Sequence, residues 1–246
     1  MRPDRIFGLL TAFPRPIRIT LFRATSLLRR VVFYGRQAFC PICKSHLRRF
    51  YPWGVRDRAW CPVCGSLERQ RMAFIFLSKP GFLTNKRLFH IAPSPSMQNV
   101  LKTLDCAEYV TADLNQTPRI DLEMDITDIQ YPDESFDVVY ASHVLEHVND
   151  DIKAMSELHR VLRRRGVAIL FVPIFVDKTI EDVLDDPQER KRLYGQHDHV
   201  RAYGLDIVDR LRSVSFNVQT LSGKDFSEIA RHGIRQSEYL FIAKKV

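Results

Sequence analysis

The sequence predicts an α/β protein with a doubly wound, mostly parallel sheet of seven strands, preceded by a small cysteine module and a basic leader. Three observations predict this class. Short apolar runs alternate with helical segments from residue 87 onward. The run 167–172 is apolar throughout, which is typical of a strand buried on both faces. Four of the five cysteines lie within residues 40–64. We therefore divide the chain into a leader (1–37), a cysteine module (38–72) and a body (73–246).

The elements of the body follow from its apolar runs and its proline and glycine residues. The predicted strands are 87–92, 109–113, 120–126, 136–140, 167–172, 216–221 and 239–243. Ser94 and Pro95 fit the N-cap and first position of a helix. Asn149 is expected to cap a second long helix, which ends in the arginines 163–165 with Gly166 as the terminating residue.

The leader predicts a basic amphipathic helix, because residues 17–34 contain no acid and no glycine. The apolar arc comprises Ile17, Leu21, Ala24, Leu27, Leu28, Val31 and Val32, and the basic arc Arg18, Arg23, Arg29, Arg30 and Arg36. Such a helix could lie on an anionic membrane surface. We favour the alternative, in which its apolar face docks on the body or on a second subunit.

The composition is that of a globular protein, with 45% hydrophobic and 27% charged residues among 246, and it excludes a disordered or fibrous chain. The formal net charge of +8 is unevenly distributed. Residues 1–72 hold fifteen Lys and Arg against three acids, whereas residues 73–246 hold 22 basic and 26 acidic residues. The front of the chain therefore favours an anionic partner, either RNA or a membrane surface.

The expected location is cytoplasmic. No run of about 18 apolar residues predicts a transmembrane segment. The sequence Phe13-Pro14-Arg15-Pro16 interrupts any apolar stretch that could serve as a signal peptide. Clustered rather than dispersed cysteines also favour a reducing compartment. Binding of the leader to lipid would add a peripheral position at the inner face of the membrane.

The cysteine quartet predicts a structural zinc site. Cys40 and Cys43 form one C-x-x-C turn, and Cys61 and Cys64 form a second one 17 residues later. Four thiolates fill a tetrahedral Zn²⁺ shell, so no position remains open for catalysis. A redox pair or two disulfides are the alternatives, but redox C-x-x-C motifs seldom come in duplicate. Gly65 permits the left-handed backbone that such turns need.

The cysteine module also combines cations with aromatic rings. The arginines are Arg48, Arg49, Arg56 and Arg58, and the rings are Phe50, Tyr51, Trp53 and Trp60. Cations beside stacking rings are typical of single-stranded nucleic-acid surfaces. Alternatively, the rings pack around the metal site while the arginines are solvated or pair with the acidic body.

The segment Ser135-Phe-Asp-Val-Val-Tyr-Ala-Ser-His-Val-Leu-Glu-His-Val148 resembles the fourth strand and following turn of class I S-adenosylmethionine-dependent methyltransferases of the methyltransferase-11 group. The similarity covers about residues 87–246 and is most specific over 125–172. A narrower resemblance is to bacterial zinc-ribbon methyltransferase-like proteins. It rests on the double C-x-x-C module, on His90-Ile-Ala-Pro93 and on Gly195-Gln-His-Asp-His-Val-Arg201. It implies a Rossmann-like methyltransferase body that uses S-adenosylmethionine.

The resemblance implies a cofactor site at the carboxyl ends of the first four strands. Its expected residues are His90, Ile91, Ala92 and Pro93 in the first loop, Asp113 and Leu114 after the second strand, Asp125 and Ile126 after the third, and Ser142 after the fourth. Asp113 is expected to hold the ribose diol, and Asp125 the adenine amine. One departure is clear: the family's glycine-rich first loop is here His90-Ile-Ala-Pro-Ser-Pro-Ser96, which contains no glycine.

Histidines are the candidate catalytic residues, because their ordinary pKa lies near neutrality. We select His143 in the turn after the fourth strand, and His197 and His199 in the insertion between the fifth and sixth strands, where this fold builds its acceptor pocket. The pair Glu146-His147 is expected to buttress the loop. Substrate contact is favoured over metal binding for His197-Asp198-His199, and nearby Arg201 and Tyr203 suit an anionic or sugar-like acceptor.

Three functions remain open from the sequence. The first is a methyltransferase acting on oxygen or nitrogen of a small-molecule or glycan acceptor, which the subfamily resemblance favours. The second is an RNA methyltransferase that holds RNA through the basic zinc module. The third is a non-catalytic binding module with the methyltransferase fold.

Overall fold

The computed structural model describes residues 25–182 and 184–246. The first eight of the eighteen residues of the predicted leader helix, 17–24, lie outside the described residues. Within the described parts of the chain, no helix is long and apolar enough to span a membrane.

The chain alternates helices and strands over most of its length. The helices are α1 (Ser26–Val32), α2 (Glu68–Leu77), α3 (Pro95–Leu101), α4 (Asp151–Val161), α5 (Pro187–Tyr194), α6 (Ile207–Ser213) and α7 (Ile229–His232). The strands are β1 (Ala38–Cys40), β2 (Ser45–Leu47), β3 (Tyr51–Trp53), β4 (Arg56–Trp60), β5 (Arg87–Ile91), β6 (Glu108–Asp113), β7 (Leu122–Glu123), β8 (Phe136–Ser142), β9 (Leu162–Phe171), β10 (Phe216–Ser222) and β11 (Tyr239–Lys245). Short 3₁₀ helices lie at Leu145–His147 and Gly223–Asp225.

Seven strands form the predicted doubly wound sheet, in the order β10-β11-β9-β8-β5-β6-β7. All neighbouring pairs from β9 to β7 are parallel, and β11 is antiparallel to both β9 and β10. The mostly parallel seven-stranded fold class is therefore confirmed. The carboxyl ends of β5, β6, β7 and β8 consequently meet at one edge, where the predicted cofactor site lies.

The third strand of the body is much shorter than the predicted 120–126. Only Leu122 and Glu123 pair with β6. The carboxylate of Asp121 accepts hydrogen bonds from the backbone amide and hydroxyl of Thr111, and Asp125 accepts from the Thr127 amide. These side chains occupy backbone donors that a longer ladder would have needed.

The second long helix begins and ends differently from the prediction. Asp150, not Asn149, is its N-cap and accepts from the Lys153 amide. The helix ends at Val161, and the three arginines 163–165 lie in β9 rather than in the last helical turn. Arg163 pairs with Asp137 of the neighbouring strand β8. Gly166 is not a helix terminator, but a Cβ there would lie 2.8 Å from the Arg163 carbonyl oxygen, so glycine is required by close packing.

Two apolar cores cover the two faces of the sheet. Helix α4 packs in one of them, with Met155 and Leu158 fully buried. The other core joins the cysteine module to the sheet, since Cys40 and Leu47 share it with Leu88 and Val138. Helix α2 runs across the predicted boundary at residue 72, and Met72 and Leu77 belong to this shared core.

Helix α1 faces the cysteine module with its basic side. Leu27, Leu28 and Val31 are 76%, 63% and 74% exposed, whereas Arg29 is buried. Arg29 Nη2 donates to the Val63 carbonyl at 3.0 Å, and Arg30 donates to the Cys43 carbonyl. The expectation that the apolar arc docks on the body is therefore wrong for these side chains. The cysteine turns present carbonyl acceptors, which attract guanidinium groups rather than leucines.

Candidate functional site

The four cysteines of the quartet converge on one point. Their sulfur atoms all lie within 4.8 Å of one another. The Sγ atoms of Cys40 and Cys64 are 3.7 Å apart, and those of Cys43 and Cys61 are 3.8 Å apart. Thiolates bound at about 2.3 Å around a tetrahedral Zn²⁺ are separated by about 3.8 Å. The quartet therefore fits a Zn²⁺ ion.

The backbone of the two cysteine turns is built for this geometry. The residue after each second cysteine is left-handed, with φ of 54° at Lys44 and 77° at Gly65. The Gly65 amide also donates to the Cys61 carbonyl. Ser66 Oγ lies 3.2 Å from Cys64 Sγ and 3.5 Å from Cys40 Sγ, where it can donate to a thiolate.

Two buried arginines balance the charge of the quartet. Four thiolates around Zn²⁺ carry a formal charge of about −2, and Arg29 and Arg71 supply two positive charges beside them. Burial lowers the pKa of both guanidinium groups, that of Arg29 to about 10, and the neighbouring cysteines oppose this shift. Arg71 donates to the carbonyls of Ala59, Ser66, His232 and Gly233, and so ties the module to the C-terminal segment.

Most of the arginines and rings of the module make contacts within the chain. Phe50 is buried beneath the Arg71 guanidinium, whose carbon lies 3.9 Å from the ring centroid. Trp53 stacks on Trp60, and Arg56 pairs with the buried Glu68 at 2.7 Å. These contacts match the packing interpretation of the pattern, and they leave few rings free for stacking with bases.

The first loop replaces glycine with a left-handed alanine. Ala92 has φ of 48°, is exposed, and donates its amide to the Ala112 carbonyl. The methyl group of alanine is the smallest side chain after glycine's hydrogen, so the loop keeps the glycine-like turn at a modest strain. Ser94 and Pro95 occupy the predicted N-cap and first helical positions of α3. Gln70 of α2 donates to Ser94 Oγ, which brings α2 against this loop.

The two aspartates expected to hold the cofactor lie at the sheet edge and also stabilise local turns. Asp113 Oδ1 accepts from the Asn115 amide, and Asp125 Oδ1 accepts from the Thr127 amide and hydroxyl. No hydrogen bond among the described residues uses the second oxygen of either carboxylate. Leu114 is 64% exposed and Ile126 is buried, so apolar surface lies beside both carboxylates.

His90 belongs to the interior of the sheet. Its Nδ1 lies 2.7 Å from Tyr109 Oη, and its ring lies against Tyr140. Burial lowers the pKa of His90 to about 3 and raises that of Tyr109. The imidazole is therefore neutral and buried. At this position only the backbone of His90 is left to contact a cofactor. Ile91 is buried at the end of β5, and Pro93 follows Ala92 in the loop.

The turn after β8 concentrates polar atoms that lack hydrogen bonds. Tyr140 Oη, Ser142 Oγ and His143 Nε2 are buried, and none makes a hydrogen bond of good geometry within the described residues. His143 is left-handed with φ of 58°, and its Nδ1 lies 3.1 Å from Glu146 Oε1. Burial lowers the pKa of His143, with Glu146 acting in the opposite direction. Unsatisfied groups on a strained turn are typical of a binding site.

The insertion brings His199 to this turn. His199 is buried and its ring lies edge-on to that of His147, with 4.7 Å between centroids. His197 is exposed and outside this cluster. Arg201 and Tyr203 are not available to an acceptor. Arg201 donates to the Leu145 and Asn149 carbonyls, and Tyr203 donates to Asp151.

Three charged groups near this turn were not selected as site residues from the sequence. Glu146 is fully buried beside His143. Burial raises the pKa of Glu146, but the opposing effect of His143 is among those that bring this pKa below its ordinary value. Arg69 and Arg56 are close enough to lower the pKa of His143. Burial lowers the pKa of Arg69 itself, and Glu238 opposes this shift. The only signal in the sequence was the Glu146-His147 pair, which we interpreted as a loop buttress.

Comparisons with known proteins agree with the fold. Residues 77–170, from the end of α2 through most of β9, match a family model described as a methyltransferase domain. No curated protein matches the chain.

Solved structures of similar fold include three methyltransferases. The S-adenosylmethionine-dependent methyltransferase from Mesorhizobium loti is 14% identical, with 72% of this chain and 98% of that chain covered and a TM-score of 0.50. The 1,6-didemethyltoxoflavin-N1-methyltransferase of Burkholderia thailandensis, bound to 1,6-didemethyltoxoflavin and S-adenosylhomocysteine, is 14% identical, with 72% and 76% covered and a TM-score of 0.50. Phosphoethanolamine N-methyltransferase 2 of Haemonchus contortus, bound to phosphomonomethylethanolamine and S-adenosylhomocysteine, is 14% identical, with 72% and 52% covered and a TM-score of 0.51. The chain thus has the fold of S-adenosylmethionine-dependent methyltransferases, and its residues 77–170 are similar to a methyltransferase domain.

Proposed function

We propose that this protein is an S-adenosylmethionine-dependent methyltransferase that acts on an oxygen or nitrogen atom of a small-molecule or glycan-type acceptor. The observation that carries the proposal is the row of buried polar atoms at the carboxyl end of β8 that make no hydrogen bond within the described residues. Ligands of parallel sheets bind at this edge. The row lies in the turn that the resemblance assigns to the reacting centre, and the histidine in it has a neighbouring carboxylate.

The residues at the sheet edge fit the cofactor. The oxygen of Asp113 that is not used in its turn would accept from the ribose hydroxyls, and exposed Leu114 beside it offers apolar surface to the adenine. Asp125 and buried Ile126 would contact the adenine from the next strand. The small side chain of Ala92 leaves room at the first loop, and Ser142 Oγ would donate towards the amino-acid portion. When bound, the cofactor supplies a methyl group on a sulfonium centre.

His143 is the residue that would accept the acceptor's proton. Its Nδ1 faces Glu146, so a proton on Nδ1 is held by that carboxylate and the lone pair of Nε2 stays free. The lowered pKa keeps His143 unprotonated near neutral pH. Glu146 is then a positioning residue. Arg69 and Arg56 beside His143 favour an acceptor that carries an anionic group.

The zinc module has a structural role in this proposal. Its four ligands leave no open position, and Arg71 joins it to the body. Through α2, the module also brings Arg69 and Gln70 to the crevice. The narrower resemblance to zinc-ribbon methyltransferase-like proteins is part of the proposal.

A methyl-transfer assay on a cell extract tests the proposed function. Purified protein and methyl-labelled S-adenosylmethionine are incubated with an extract that is then separated into small-molecule, glycan, protein and RNA fractions. We expect label in the small-molecule or glycan fraction. His143→Gln should reduce the incorporation at least about tenfold, because general bases contribute on the order of 10²–10⁴ in rate. The matched control His46→Gln, which changes an exposed histidine of the cysteine module, should retain it. Label in RNA alone, or none in any fraction, contradicts the proposal.

A further inference from the structure

The described residues contain a second cluster of potential metal ligands, separate from the cysteines. Glu146, His147 and His199 each contribute one donor atom, and these atoms lie within 4.8 Å of one another. We propose that this triad binds a divalent first-row transition ion, such as Fe²⁺ or Zn²⁺. The binding of the ion does not depend on the proposed methyl transfer.

Glu146 is a buried carboxylate without adequate partners. Its side chain is fully buried, and neither oxygen makes a hydrogen bond of good geometry within the described residues. The neutral imidazole of His143 lies closest to Oε1, with its Nδ1 at 3.1 Å. A buried charge costs several kcal/mol unless it is paired or coordinates a metal. One neighbouring imidazole accounts for Oε1 and leaves Oε2 to a further ligand.

His199 presents a free lone pair to the same place. Its Nδ1 lies 2.6 Å from the Tyr194 carbonyl oxygen, which can only accept, so Nδ1 carries the proton. The other nitrogen, Nε2, is then unprotonated, and it is buried with no hydrogen-bond partner among residues 25–182 and 184–246. Metal-bound histidines characteristically donate their second N–H to a carbonyl or carboxylate in this way.

His147 is oriented by a carboxylate, which is the other common partner of a metal-binding histidine. Asp198 Oδ2 lies 3.4 Å from its Nδ1, so the carboxylate favours the proton on Nδ1 and leaves Nε2 basic. The rings of His147 and His199 are 4.7 Å apart and nearly perpendicular. Two imidazoles and one carboxylate therefore surround one point.

The two segments that carry the triad are held together by the backbone. The Val200 amide donates to the Glu146 carbonyl at 2.9 Å. The buried Arg201 guanidinium donates to the Leu145 carbonyl at 3.1 Å and to the Asn149 carbonyl at 2.8 Å. These bonds fix the short 3₁₀ helix Leu145–His147 against the loop that contains His199. The site is therefore preorganised before any ion binds.

The donor set indicates the class of ion. Two neutral imidazoles with one carboxylate suit Fe²⁺, Zn²⁺ and similar ions rather than Ca²⁺ or Mg²⁺, which prefer oxygen ligands. Bonds of about 2.0–2.2 Å place ligand atoms up to about 4.4 Å apart, which is close to the 4.8 Å limit within which the three donor atoms lie. Three protein ligands also leave open positions, in contrast to the closed cysteine site.

Cobalt titration of the zinc-loaded protein tests this inference. One Zn²⁺ per chain first fills the cysteine site, and Co²⁺ is then added while the visible spectrum is recorded. We expect the chain to take up one further Co²⁺ with weak d–d bands and without intense thiolate charge-transfer absorption. His147→Ala and His199→Gln should each weaken the uptake at least tenfold. His147 is partly exposed, so its variant should fold normally. The control His197→Ala changes an exposed histidine of the same loop and should bind Co²⁺ as the wild type does.

Three results would overturn the inference. These are the absence of saturable uptake, uptake that survives either His147→Ala or His199→Gln, and a thiolate charge-transfer spectrum, which would mean that Co²⁺ enters only the cysteine site. None of these measurements uses S-adenosylmethionine. Failure of the metal site is therefore distinguishable from failure of the proposed methyl transfer.

Discussion

The cysteine quartet and the Glu146–His147–His199 triad are two ligand clusters of opposite design. In the quartet, paired turns aim every sulfur at one point, and serines and buried arginines stabilise the thiolates. In the triad, buried oxygen and nitrogen atoms lack partners within the described residues. One Zn²⁺ ion would use all four sulfur atoms of the quartet. The buried donor atoms of Glu146 and His199 in the triad have no hydrogen-bond partner among the described residues. From this difference we propose that the quartet stabilises the fold, that His143 takes part in methyl transfer, and that the triad binds a separate ion.

The largest loss of stability is expected from removing one ligand of the cysteine quartet. Cys61→Ser should abolish zinc binding and destabilise the chain by several kcal/mol, because structural Zn²⁺ contributes on the order of 10 kcal/mol to the folding of small modules. Zinc content and thermal unfolding measure the loss. Cys106→Ser, outside the quartet, should change neither. A Cys61→Ser protein with full zinc content would show that the quartet is not the zinc site.

The connection between the quartet and the body is expected to have the next largest effect. Arg71→Met should cost about 3–5 kcal/mol, since it leaves several buried carbonyls and the thiolate cluster without their cation. Denaturant unfolding measures it. Arg212→Met removes an exposed arginine paired with Asp209 and should cost less than about 0.5 kcal/mol. Equal costs for the two variants would refute the role assigned to Arg71.

The seven-stranded sheet should make the free energy of unfolding depend on pH through His90. The pKa of His90 is about 3 in the folded chain and about 6.5 when unfolded, so the unfolded state binds the proton first. Stability from this group is complete above pH 6.5 and falls by about 1.4 kcal/mol per pH unit as the pH decreases below it. His90→Gln should flatten the wild-type curve between pH 6 and 4, as measured by denaturant unfolding. Parallel curves for the two proteins would contradict a buried neutral His90.

The smallest expected change in stability comes from substitutions on the two sides of helix α1. Arg29→Ala should cost about 1–3 kcal/mol, because Arg29 is buried and bonded to the cysteine turn. Leu27→Ala on the exposed side should cost less than about 0.5 kcal/mol. Unfolding in urea compares them directly. A larger loss for Leu27→Ala would restore the expectation that the apolar side docks.

Local sequence patterns predicted the features that are encoded locally. The strand pattern of the body and the zinc-ligand spacing of the quartet depend on neighbours within a few residues, and the sheet follows from them. The length of β7 did not follow, since Asp121 takes a backbone donor from a strand ten residues away. The orientation of α1 depended on carbonyls of Cys43 and Val63, which the periodicity of the leader does not reveal.

The chemistry of the crevice was only partly visible in the sequence. His143, His197 and His199 could be selected by residue type, but the sequence did not reveal that His197 is exposed whereas His199 is buried. Glu146 and Arg69 were missed, because their burial and their proximity to His143 arise from packing between distant segments. The position of a charged residue in the sequence does not by itself indicate that its side chain is buried or which distant residue it contacts.

The central claim, that the crevice at the sheet edge holds S-adenosylmethionine, is tested most directly by calorimetric titration with S-adenosylmethionine and S-adenosylhomocysteine. Wild-type protein should bind one molecule per chain. Asp113→Ala should weaken the binding at least about tenfold, since it removes the carboxylate expected to hold the ribose diol. Asp128→Ala, which changes an exposed carboxylate in a nearby loop, should bind as the wild type does. Absence of binding by folded wild-type protein, or equal affinity in Asp113→Ala, would contradict the account.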